Sequence, residues 1–165
     1  MSGDLPFSPQ RPSFRIFNSI VKPVLLYGAE TWRTTVANMK KLQTFVNTCL
    51  RKLLKIYWPD IISNQELWRR TNQQPIEIEI LQKRWRWIGH TLRKAKPNIT
   101  RESLSWNPQG KRKRGRPRNS WRRDVEAEMR KMGRTWGQLE ALAQDRPAWR
   151  RLVDGLCPWR DDRPK

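Results

Sequence analysis

The sequence predicts a mainly α-helical protein. Two long stretches repeat apolar residues at alternating steps of three and four, capping residues stand at the heads of several shorter ones, and no stretch shows β-type alternation. The first dozen residues, with Pro6, Pro9 and Pro12, read as an extended lead-in. From residue 13, Phe14, Phe17, Ile20, Val21, Val24 and Leu25 have helical spacing; Pro23 predicts a kink or break, and Gly28 a stop. Thr34 and Thr35 then offer an N-cap.

The strongest helix is expected over residues 36–56, where Met39, Leu42, Val46, Cys49 and Leu53 form one stripe and Trp58-Pro59 ends it. Ser63-Asn64-Gln65-Glu66 reads as a capping box opening a short helix through Trp68. After Pro75, the set Ile78, Leu81, Trp85, Ile88 and Leu92 repeats the same period, with Lys83, Arg84, Arg86 and Arg93 on the remaining faces. Composition shifts at residues 105–119, a basic stretch punctuated by Gly and Pro with no apolar period. Beyond it, Ser120 caps a helix carrying Trp121, Val125 and Met129, with Asp124, Glu126 and Glu128 toward its positive end. Thr135-Trp136-Gly137-Gln138 is a second capping box, ahead of Leu139 and Leu142. Asp145 caps a last helix with Trp149, Leu152 and Val153, and Gly155 closes it. The expected organisation is therefore a lead-in (1–12), a helical region (13–104), a basic linker (105–119), a small helical region (120–158) and a polar tail (159–165).

Charge narrows the function. The 165 residues hold 35 Lys or Arg against 15 Asp or Glu, a net charge of +20, and ten Trp argue against a wholly disordered chain. Such a surface calls for an acidic counterpart. Nucleic acid leads, because Lys and Arg displace the counterions of phosphates; an anionic membrane surface and a merely solvated face are the competing readings. No run approaches the about 18 apolar residues of a membrane span, and Met1-Ser2-Gly3-Asp4-Leu5-Pro6 lacks the pattern of a secretory leader. Cys49, Cys157 and His90 make neither a disulfide framework nor a four-ligand zinc site, which fits a reducing intracellular setting.

Groups for bond-making chemistry are sparse. Two-metal catalysis needs clustered carboxylates, yet the adjacent acidic pair Asp161-Asp162 lies in a polar tail. Glu77 and Glu79, two residues apart, point in different directions on a helix and read as partners for nearby cations. His90 has no marked nucleophile or carboxylate partner, and reads as a phosphate contact or a helix cap. Cys49 reads as a small buried hydrophobe. There is no phosphate-binding glycine loop, so no cofactor and no small-molecule substrate are expected.

The sharpest local signal is Lys111-Arg112-Lys113-Arg114-Gly115-Arg116-Pro117-Arg118. Gly115 permits close approach to a groove, and Pro117 extends Arg116, so the flanking arginines suit a narrow A·T-rich minor groove. This core resembles an AT-hook. Phosphate gripping, a nuclear-import cluster and an inert linker remain open beside it. Arg122 and Arg123 extend the basic run, while Lys52, Arg84 and Arg86 supply further cations for phosphates. Trp85 belongs to the apolar stripe. Trp87, two residues on, is divided between packing on another segment and stacking on an unpaired base.

Several phrases in order carry a family resemblance: Val24-Leu25-Leu26-Tyr27-Gly28-Ala29-Glu30-Thr31-Trp32; Arg84-Trp85-Arg86-Trp87-Ile88-Gly89-His90; Gly115-Arg116-Pro117-Arg118-Asn119-Ser120-Trp121-Arg122-Arg123-Asp124; and Trp136-Gly137-Gln138-Leu139, with Ala143-Gln144-Asp145-Arg146 and Trp149-Arg150 downstream. Across about residues 13–160 the chain resembles the carboxyl-terminal end of endonuclease–reverse transcriptase polyproteins of non-long-terminal-repeat retrotransposons. The resemblance implies a thumb-like helical segment following a polymerase palm, then a basic terminal segment. The palm's Tyr-x-Asp-Asp motif and the endonuclease's acidic and histidine groups have no counterpart here, so no catalytic role carries over. The expectation is a truncated, non-catalytic piece that holds template–primer or target DNA by its phosphates. Its partners would be DNA or RNA and the missing palm, with no membrane, and the nucleus is favoured over the cytoplasm. A free-standing AT-hook-like chromatin protein is the alternative.

Overall fold

The structure is a computed structural model that describes residues 12–106 and 120–156. Most of the 105–119 linker, Cys157 and the Asp161-Asp162 pair lie outside the described residues. Among the described residues the protein is mainly helical, with no strand. Composition suggests a boundary at the linker; contacts instead divide the chain within one long helix. One compact unit is drawn from Met1–Ala29 and Thr35–Ile80, the other from Glu30–Thr34 and Leu81–Lys165.

The first unit opens with α1 (Pro12–Ile16), a π-helical turn (Phe17–Val21) and α2 (Lys22–Leu25). Pro23 therefore does not break the helical run. It sits in the first turn of α2, where its missing N–H costs little, while the Lys22 N–H reaches back to the Phe17 carbonyl. The altered register buries Phe14, Phe17 and Leu26 but leaves Ile20 and Val24 exposed. Gly28, at φ 68°, makes the expected stop.

α3 (Val36–Leu54) starts where Thr35 accepts from the Asn38 N–H at 3.2 Å and ends at Lys55 in the left-handed region. Its buried face centres on Val46, Asn47 and Leu50, rotated from the expected stripe, so Cys49 is half-buried. Asn47 explains the rotation: its Oδ1 accepts from Gln43 Nε2 and Trp68 Nε1, each at 2.9 Å. That satisfied amide fixes α3 against α4 (Asn64–Thr71). Ser63 caps α4 as expected, accepting from the Glu66 N–H at 3.2 Å. The Glu66 carboxylate turns to Arg69 and Arg70, and the helix runs three residues past Trp68.

α5 (Ile76–Leu92) passes from the first unit into the second. In the first, Ile76 and Ile80 are buried, and Glu79 pairs with Lys22. In the second, Leu81, Trp85, Ile88 and Leu92 form the expected stripe, all buried. Each such side chain contributes about 1.5–3 kcal/mol of burial. Around them pack α6 (Ile99–Ser105), α7 (Trp121–Lys131), α8 (Trp136–Gln144) and α9 (Arg146–Asp154), through Leu104, Val125, Leu139, Ala143, Trp149 and Val153. α6 has no counterpart in the sequence expectation. Arg101 on it donates to the Leu92 and Lys94 carbonyls at 2.8 and 2.6 Å and pairs with Glu140. It thus satisfies open carbonyls at the end of α5. The Thr135–Gln138 capping box forms in full.

Candidate nucleic-acid interface

The second unit gathers cations on one recess. Arg86 and His90 lie four apart on α5, Arg93 follows directly after its last residue, and Arg146 and Arg150 lie one turn apart on α9. Together they line a cavity of about 530 Å³, bordered also by the buried Trp149 and Val153.

The two helices meet this way because of Gly89. A Cβ there would overlap the Trp149 indole, so the absence of a side chain lets the ring lie directly on the α5 backbone. Trp149 Nε1 donates to the Trp85 carbonyl at 3.0 Å, and the Trp85 and Trp149 rings sit 6.1 Å apart at 49°. With Trp149 anchored, α9 presents its exposed arginines beside those of α5.

Electrostatically the recess is under-compensated. Asp154 approaches Arg86 at 3.5 Å, and both side chains are more than half exposed. Arg93 donates to the Ala143 carbonyl at 3.1 Å. Its guanidinium is held below its ordinary pKa, first by burial and then by the positive charge of Arg146. Among the described residues, four guanidinium groups border the recess and one ion pair, Arg86 with Asp154, offsets them, an arrangement that attracts anions.

The sequence-derived site residues divide. Arg86 is exposed and lines the recess. Arg84 is a correction. Its side chain is 1% exposed, pairs with Glu128, and donates to the Trp32 carbonyl at 2.8 Å, so it is a buried structural cation that no phosphate can reach. Glu128 also accepts from Trp85 Nε1 at 2.8 Å, and burial pushes its carboxyl above the ordinary value against the pull of Arg84. Trp87 is half-buried with its ring edge-on to Trp121 at 5.9 Å, a packing contact rather than an open stacking face. Arg122 pairs with Glu126 at 3.2 Å and donates to the Ser105 carbonyl at 3.1 Å. Arg123, next to it on α7, is exposed, as is Lys52 on α3 of the first unit. Lys111, Arg112, Lys113, Arg114, Arg116 and Arg118 lie outside the described residues.

The sequence holds Arg93 among several helical cations suited to phosphates and His90 as a lone residue, and it does not bring Arg146 and Arg150 to the site. Their helical spacing was the available signal. Among the described residues no three His, Cys, Asp or Glu side chains gather to hold a metal, and no helix is long and apolar enough to cross a membrane. No protein-family model, curated protein or solved structure matches the chain.

Proposed function

We propose that this chain binds nucleic acid through phosphate contacts and performs no chemistry of its own, as the piece following the palm in a retrotransposon reverse transcriptase. The observation that carries the reading is the convergence of four arginines, from α5 and the residue just past it and from α9, on one recess in a chain of net charge +20. Guanidinium groups suit this task because their planar forks match phosphate oxygens. The ordered phrases from Val24 to Arg150 support the retrotransposon origin, template–primer or target DNA as the ligand, and the nucleus as the favoured location.

Titrating a fluorescent duplex with the protein at increasing salt tests the reading. Engaging about four phosphates predicts a log–log salt slope of about −3.6 on B-DNA, with little base preference. Absence of binding at low salt, or an affinity indifferent to salt, would overturn it. The Gly115-Arg116-Pro117 core favours a second reading, a free-standing A·T-preferring DNA binder. That reading requires a clear preference for A·T-rich over G·C-rich duplexes, lost on Arg116→Ala.

A further inference from the structure

We infer that the recess between α5 and α9 is a site for a terminal phosphate monoester, the phosphorylated end of a nucleic-acid strand. The inference rests on the nucleic-acid reading above and goes beyond it, because a phosphate-tracking surface and an end-binding recess are built differently.

Two observations favour an end. First, the cations converge instead of forming a track. Arg86 and His90 sit on the last turns of α5 with Arg93 just past its end, Arg146 to Arg150 spans about 6 Å of α9 at about 1.5 Å per residue, and both sets open on the same cavity. A terminal phosphate has three oxygens free of ester bonds where a backbone phosphate has two, so it can meet several of these guanidinium groups at once. Second, the charge suits a dianion. Among the described residues, four guanidinium groups against Asp154 leave an excess of three positive charges at the recess. A backbone diester supplies one negative charge; a monoester supplies about 1.5–2 near pH 7. The mutual repulsion of Arg93 and Arg146 is relieved most by the more highly charged group.

The test compares one single-stranded oligonucleotide in three forms: 5′-phosphorylated, 3′-phosphorylated and hydroxyl at both ends. It uses the full chain at near-physiological salt. The expected result is that a phosphate at one end tightens binding by about five- to tenfold over the hydroxyl form, the scale of one or two added charge-assisted hydrogen bonds. The gain should disappear in the double variant Arg146→Gln, Arg150→Gln, whose residues are exposed and whose fold is checked by circular dichroism.

Equal binding of all three oligonucleotides overturns the end-site inference and leaves general nucleic-acid binding standing. A phosphate gain that survives in the double variant also overturns it, by placing the preference elsewhere. If no oligonucleotide binds, the nucleic-acid reading itself fails. Calorimetric titration with inorganic phosphate then decides the remainder: saturable binding lost in the double variant supports a monoester site filled by a free phosphate compound, and no binding removes the site.

Discussion

The Trp149 indole occupies the space that a side chain at Gly89 would need, and its Nε1 donates to the Trp85 carbonyl one helical turn earlier on α5. Gly89→Ala therefore sets two effects against each other. Alanine improves helix propensity by up to about 1 kcal/mol, but overlap with a buried ring costs about 1–3 kcal/mol. The overlap is with the indole itself and not a flexible chain end, so net destabilisation is expected. A fall in the urea midpoint, with a changed tryptophan emission spectrum, checks it.

Removing the Glu128 carboxylate strands a cation. Glu128→Ala leaves Arg84 buried and Trp85 Nε1 without its acceptor, and should cost about 3–5 kcal/mol. The double variant Arg84→Met, Glu128→Leu should be more stable than Glu128→Ala, because no unpaired charge remains. Chemical denaturation of the three proteins gives the comparison.

Glu66 supplies a pH dependence. Hydrogen bonds from Arg69 and Arg70 hold its carboxyl at about 2, below the ordinary 4.5. A depressed folded-state pKa means that the unfolded chain binds the proton more readily. The stabilisation is thus present above pH 4.5 and fades as pH falls toward 2. The Tm difference between the native protein and Glu66→Gln should be largest near neutrality and shrink through that window. A constant difference from pH 6 to pH 2.5 would contradict the assignment.

Asp154 is the acidic competitor at the recess. Its ion pair with Arg86 is exposed, so Asp154→Asn should alter stability by less than about 1 kcal/mol. It should tighten polyanion binding by about two- to fivefold and steepen the salt slope, since one more cation meets phosphate. Anisotropy titrations at two salt concentrations read both effects.

Much of the fold was legible because its signals are local. The Leu81–Leu92 stripe, the Thr135 box and the Asp145 cap each depend on residues within a turn or two of one another. The π-helical turn was not legible, since Phe17 to Val21 has the same spacing in either register until tertiary burial selects one. Nor was α6, whose seven residues are too few to display a period. At the candidate site the limitation was distance along the chain. Arg84 and Arg86 look alike in an alternating Arg-Trp run, and what separates them is a carboxylate 44 residues downstream. Likewise, Arg93 and Arg146 become neighbours through the packing of Trp149, which neither sequence neighbourhood announces.

Asp145 belongs to two helices at once: it ends α8 and, through its side chain, accepts from the Ala148 N–H that begins α9. The joint has no slack. Each residue inserted there would phase-shift α9 by about 100°, swinging Arg146 and Arg150 off their common cavity while leaving every residue's identity intact. Chain length at this corner, as much as the choice of amino acids around it, sets which way those arginines face.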